Sequence, residues 1–126
     1  MANHSRSIKI TADPIYLSDQ SDPNALRFVF AYTIVIENTG AVATQLISRH
    51  WIITDGHERI QEVRGLGVVG EQPWLRPGQS YAYTSGCTLE TPTGTMRGSY
   101  CMMTEQGQTF DALIPEFALL APNRLH

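Results

Sequence analysis

Apolar and polar residues alternate along most of this chain with a period of two. The clearest run is Leu26 to Glu37. Leu26, Phe28, Phe30, Tyr32, Ile34 and Ile36 fall on one face, and Arg27, Val29, Ala31, Thr33, Val35 and Glu37 fall on the other. Successive strand side chains point to opposite faces, so the pattern predicts a long central strand with one face in a core. Asn38-Thr39-Gly40 then turns the chain into a second strand over Thr44 to Thr54. Of its two faces, Gln45, Ile47, Arg49, Trp51 and Ile53 make the stronger core candidate, because Ile47 and Ile53 flank Trp51. Asp55-Gly56 is a type I′ hairpin signal that brings His57 to Arg64 back antiparallel. That return carries Glu58, Arg59, Gln61, Glu62 and Arg64, the composition of an exposed edge guarded against other edges.

The remaining segments follow the same period. Ile8 and Ile10, then Ile15 and Leu17, read as an edge strand bent or bulged at Asp13-Pro14, where proline removes a donor. Ser18 to Ala25 is a loop by composition, and Pro77-Gly78 turns into a short strand marked by Tyr81 and Tyr83. Cys87 to Gly94 reads as a loop. Met96, Gly98, Tyr100 and Met102 alternate against Arg97, Ser99, Cys101 and Met103. Glu105-Gln106-Gly107 closes a hairpin onto Thr109 to Ile114, and Pro115 interrupts before Phe117 and Leu119. No stretch keeps a helical period. Strands with turn signals about every 8 to 12 residues predict an all-β fold, an antiparallel seven-stranded two-sheet sandwich of fibronectin type III or immunoglobulin type. Both cysteines follow Trp51 instead of flanking it, which favours the fibronectin variant. The 126 residues make one domain, with 1–5 and 121–126 expected as mobile tails.

Composition excludes several classes. Hydrophobic residues at 42% and charged residues at 17% belong to a globular protein. A net charge of −3 argues against a nucleic-acid partner. No apolar run approaches the roughly 18 residues of a membrane span, and the N-terminus lacks a secretory apolar region. The expected compartment is therefore the cytoplasm, where Cys87 and Cys101 are reduced thiols.

Candidate chemistry concentrates between Arg49 and Gly78. Gly65-Leu66-Gly67-Val68-Val69-Gly70 spells GxGxxG, a candidate pyrophosphate loop through Gly65, Gly67 and Gly70. Pro73 and Pro77 forbid the helix that would bring its amides and dipole to a phosphate. A glycine-rich crossover loop, tightly packed and using positive φ, is the better reading. His50, Asp55 and His57 are weak candidates for a metal site, since their spacing is not that of a dedicated one. Cys87, read in a loop, is a candidate exposed thiol, but no spacing supplies a base, and the carboxylates stand singly. What remains is surface. Val68, Val69, Trp74 and Leu75 on a Gly/Pro-rich loop, beside the Arg59, Glu62 and Arg64 edge, make a candidate protein-interaction surface with an apolar anchor and a charged rim.

The combination HWIITDGHERIQEVRGLGVVGEQPWLRPGQSYAYTSGC, TPTGTMRGSY and FDALIPEFALLAP resembles the bacterial ApaG family over nearly the whole chain. The resemblance implies a fibronectin type III-like sandwich. It also implies protein interaction, the role of similar domains in a eukaryotic DNA polymerase δ-interacting protein and in F-box proteins. Bacterial members are associated with cobalt and magnesium tolerance, and their gene often neighbours that of a diadenosine tetraphosphatase. Leu66 stands where the family pattern often has proline, which leaves the loop less rigid as an anion site. The resulting expectation is a non-catalytic binding module with no cofactor, an unidentified protein partner, no membrane contact and at most a weak homodimer. The alternative is an anion-, nucleotide- or cobalt/magnesium-responsive protein using Gly65–Gly70 or His50 and His57.

Overall fold

The computed structural model describes residues 7–122. Within them the chain forms β1 (Ile8–Tyr16), β2 (Phe28–Asn38), β3 (Thr44–Asp55), β4 (Ile60–Leu66), β5 (Trp74–Leu75), β6 (Ser80–Leu89), β7 (Thr93–Thr104) and β8 (Thr109–Leu120). One sheet has the order β1-β2-β6. The other has the order β4-β3-β7-β8, with β5 paired to the start of β3. All pairings are antiparallel. The seven long strands are those the alternation predicts, and two-residue β5 is the addition. Among the described residues no helix is long and apolar enough to cross a membrane.

The core lies between the sheets and is aromatic at its centre. Phe30, Tyr32, Ile34 and Ile36 of β2 face Trp51, Met96, Tyr100 and Met102 of the larger sheet. Trp51 meets Tyr32, Phe117 and Tyr100 edge-on, with ring centroids 5.4, 5.9 and 6.3 Å away. Such edge-to-face pairs bring the positive rim of one ring to the negative face of another. The hydroxyls of Tyr83 and Tyr100 hydrogen-bond each other inside this core, so neither is left unpaired in a low dielectric.

Several expectations change at irregularities of the ladder. The register between β3 and β7 shifts between Leu46 and Ser48, so Ile47 is an extra residue. A bulge reverses which parity faces inward. Thr44 and Leu46 are therefore buried before it and Trp51 and Ile53 after it, and Ile47 leaves the core. Arg49 keeps the inward parity of Trp51. Leu26 departs from the β2 face: it caps a 3-10 turn (Pro23–Ala25) with φ 54° and is exposed. β1 pairs without interruption through Pro14, so no bulge forms there, and Ile15 points outward while Tyr16 packs inward. Pro14 is accommodated because β1 is an edge. Pro115 likewise sits where β8 gains one residue against Met96 and Gly98, and the strand continues past it.

The turn after β3 is longer than a two-residue type I′ hairpin. Thr54 pairs with Ile60, and Glu58 takes the positive φ of 63° that the signal assigns to Gly56. Asp55 closes this loop by accepting the amides of His57 and Arg59 at 2.8 and 3.0 Å. Cys87 is in strand β6 opposite Phe30, not in a loop. At the C-terminus order extends further than expected, since the Ala121 amide donates to the Pro92 carbonyl at 2.8 Å. Residues 1–6 and 123–126, which include His4, His126 and the rest of the expected tails, lie outside the described residues.

Candidate functional site

The glycine segment folds back on β3. Gly67 has φ +62°, and a Cβ there would lie 2.2 Å from the Glu71 carbonyl oxygen. Val69 and Gly70 both have positive φ, and Val68 and Glu71 exchange hydrogen bonds of 2.8 and 2.9 Å. That is a type I′ turn, and it tucks Val68 into the core at 1% exposure. The Gly67 amide donates to the Ile47 carbonyl at 2.8 Å, and Gln72 Nε2 donates to the same carbonyl at 2.9 Å. The bulge of β3 is thus the anchor of the loop.

These bonds decide what the loop offers to a ligand. The amides of Gly67, Val68 and Glu71 are consumed internally. The carbonyls of Leu66 and Gly67 face inward to accept Arg49 Nη1, each at 2.9 Å. Gly65 has no side chain because the Arg49 guanidinium occupies its place, with Cζ 2.7 Å from where a Cβ would be. The glycines therefore cradle a cation of the protein itself, and among the described residues no helix follows Gly70.

The residues of the expected surface divide. Leu75 and Val68 are core, whereas Val69 is exposed at the tip of the turn. Asn38, buried at the end of β2, donates to the carbonyls of Leu75 and Val42 at 2.9 and 2.8 Å and so fixes β5. Leu75 then points inward and Trp74, paired with Gln45, points outward at 48% exposure. Arg59 sits at the other end of β3. It is held by Asp55 at 2.7 Å and by Glu90 at 3.4 Å. Ten residues of strand, roughly 33 Å, separate its end of β3 from that of Trp74. Arg59 and Trp74 do not share one surface.

What comes together is the outer face of the five-stranded sheet. Across four strands, one row runs Leu66, Ser48, Cys101, Asp111, and the next runs Arg64, His50, Ser99, Leu113. His50 Nε2 is 2.7 Å from Glu62 Oε1, and Arg64 Nη2 is 3.8 Å from the same oxygen. A cleft of about 440 Å³ lies over both rows. A second of about 300 Å³ adjoins it, lined by His50, Ile52, Arg97, Ser99, Leu113 and Glu116. Leu66 and Leu113 stand around this charged centre, each 75% exposed. Ser99, Cys101 and Leu113 belong to no pattern with a chemistry of its own, and only the strand register gathers them.

The metal candidates separate. His50 is committed to Glu62, and Asp55 to its loop amides and Arg59. Desolvation alone would raise the Asp55 carboxyl, but the amides of Arg59 and His57 and the Arg59 guanidinium outweigh it and hold the group below its ordinary value. Among the described residues no group of three or more His, Cys, Asp or Glu could hold a metal ion. Burial pushes the Cys87 thiol up to about 11, which leaves little thiolate at neutral pH.

The model of the ApaG domain family matches residues 18–104. The protein ApaG of Thiobacillus denitrificans is 61% identical over 119 residues, 94% of each chain. That of Bordetella pertussis is 54% identical over 131 residues and covers both chains fully. The crystal structure of the ApaA protein from Bordetella pertussis superposes with a TM-score of 0.90 at 56% identity, covering 93% of this chain and 95% of that one.

Proposed function

The chain belongs to the ApaG family, and from that premise we propose that it acts as a non-catalytic protein-binding module. The observation that carries this reading is the outer face of the five-stranded sheet. The solvated face of an antiparallel sheet is ordinarily polar. Here Leu66, Leu113 and Trp74 stand exposed on strands, around His50, Glu62 and Arg64. Strands cannot hide such side chains as loops can, so their exposure is built into the register. The outer face of the three-stranded sheet has fewer such side chains: Thr11, Asp13, Thr33 and Thr84 lie there with the smaller apolar Ala31, Val35 and Ala82, and Ile15 is the one large exposed hydrophobic on it among the described residues. Apolar anchors with a charged surround suit a partner whose off-rate is set by buried side chains and whose on-rate is set by charge. Trp74 remains a candidate anchor, and Glu62 and Arg64 remain candidate rim.

Affinity capture from native lysate with the parent, with Leu66→Glu/Leu113→Glu, and with Thr11→Glu as a control on the other sheet tests this. The partner recovered is then purified and its binding remeasured. Loss of binding in the double variant alone, at unchanged melting temperature, is expected. Equal binding by all three proteins would move the interaction off this face.

A further inference from the structure

Four long strands end a sheet, and three of them are guarded. β1 carries Asp13-Pro14, β4 carries Glu62 and Arg64, and β8 carries Asp111, Pro115 and a bulge. Charges, prolines and bulges are the usual protection of an edge. β6 has none: its ten residues SYAYTSGCTL include no charge and no proline. The Asn38 amide donates to the Gln79 carbonyl at 2.9 Å. By antiparallel alternation, the odd-numbered residues of β6 then bond to β2, and the amides of Ala82, Thr84, Gly86 and Thr88 face the open side. Their side chains are small.

Beside this edge the sandwich is open. A cleft of about 280 Å³ lies between the sheets, where Ser85, Cys87 and Thr88 of β6 face Gln61 and Val63 of β4. Trp51 and Met96 form its floor. Among the described residues Arg49 is the one charged group that lines it, and no carboxylate there lies within ion-pair distance of Arg49. Arg49 Nη1 is held by two neutral carbonyls, which position the guanidinium without neutralising it. Its charge reaches the tyrosines of the core, where it acts against the rise in their pKa values.

We propose that the open edge of β6 binds an extended segment of another protein by strand addition, with an acidic side chain of that segment entering the inter-sheet cleft to meet Arg49. The unprotected edge supplies the main-chain bonds, the cleft supplies room for alternate side chains, and the uncompensated cation selects the acid. This site opens beside β6, away from the outer face of the larger sheet, and Arg49 is the one lining residue that its cleft shares with the cleft of about 440 Å³ there.

The test is selection from a phage-displayed library of random peptides of roughly ten to twelve residues, a length that matches strand addition. Clones are counter-selected on Gly86→Pro, which removes an outward amide. Enriched peptides are expected to alternate apolar positions around one Asp or Glu. A synthetic peptide from the set should shift amide signals along Ser80–Leu89, and its Glu→Gln or Asp→Asn form should bind about tenfold or more weakly, as expected for a lost charge-assisted bond. Arg49→Gln removes the charge, and its shorter side chain gives up the bonds to the Leu66 and Gly67 carbonyls; it should abolish that discrimination without abolishing binding. Any of four results overturns the proposal: no enrichment over the counter-selection, enriched peptides without an acid, equal binding to Gly86→Pro, or pairing of β6 with a second copy of this chain. A melting curve for each variant separates misfolding from loss of the site.

Discussion

Replacing Trp51 with alanine tests the packing most severely. Trp51 is 3% exposed, and its ring touches Tyr32, Phe117 and Tyr100. Truncating a buried Trp costs about 3–5 kcal/mol, the sum of lost transfer energy and the cavity left behind. Edge-to-face partners add about 0.5–1.5 kcal/mol each beyond burial, which places Trp51→Ala in the upper part of that range. Set against a usual domain stability of about 5–15 kcal/mol, the loss amounts to between roughly a third and nearly all of the margin. For a chain of this size the melting point should fall by about 10–25 °C. Trp74→Ala is the internal control, because the same chemical change at 48% exposure removes far less contact. It should cost about 1 kcal/mol or less and a few degrees. Thermal melts by circular dichroism, with urea titrations to check that the slope is retained, measure both. A Trp51→Ala protein melting within about 3 °C of the parent, or a larger loss in Trp74→Ala, would refute the assignment of the two tryptophans.

Other expectations follow from single contacts. Gly67→Ala places Cβ 2.2 Å from the Glu71 oxygen at φ +62°, whereas Gly70→Ala at φ +82° meets nothing within 4 Å. Gly70→Ala should therefore cost only the left-handed backbone term of about 1 kcal/mol and Gly67→Ala clearly more, about 2–4 kcal/mol; equal urea midpoints would contradict the loop geometry. Asn38→Ala leaves the Leu75 and Val42 carbonyls and the Gly40 amide without their side-chain partner. It should lower stability by about 2–4 kcal/mol, and an unchanged urea midpoint would show that Asn38 does not fix β5. Burial raises the phenols of Tyr32 and Tyr83 from 10.0, Tyr83 to about 12. The unfolded chain thus releases these protons first. Stability from this source is intact below pH 10.0 and is lost as pH climbs through 10.0 toward about 12. Urea unfolding across that window, with tyrosinate absorbance alongside, should show the decline, and flat stability would count against a buried hydroxyl pair.

Much of the fold was legible because alternation reports directly which face is wet. β2 from Phe28 onward, the exposed charged edge at β4, the edge position of β1 and the inward Trp51 and Ile53 all follow from it. What alternation cannot report is where the count slips. Ile47 pattern-matches the core, but one bulge residue reverses the parity, and no local chemistry at Leu46-Ile47-Ser48 marks the place. Asp55-Gly56 spelled a tight turn, yet the Asp55 carboxylate found better partners two and four residues on. Val68 and Leu75 read as loop surface because their burial depends on distant groups, the Ile47 carbonyl and the Asn38 amide. The glycine motif was legible as a packing device from the prolines after it. That it enfolds Arg49 was not, since Arg49 looked like one more strand residue. The outer-face site was the least visible: Glu62, Arg64 and Trp74 stood out by type, but Leu66, Ser99, Cys101 and Leu113 join them only through register.

Amide hydrogen exchange on the purified complex, compared with the free chain, shows whether a protein partner docks on the outer face of the five-stranded sheet, as proposed. Slowed exchange is expected in β4 around Glu62 to Leu66, in β7 around Ser99 to Met103 and in β8 around Asp111 to Leu113, with β1 unchanged. Slowing confined to the three-stranded sheet, with those segments unaffected, would contradict it.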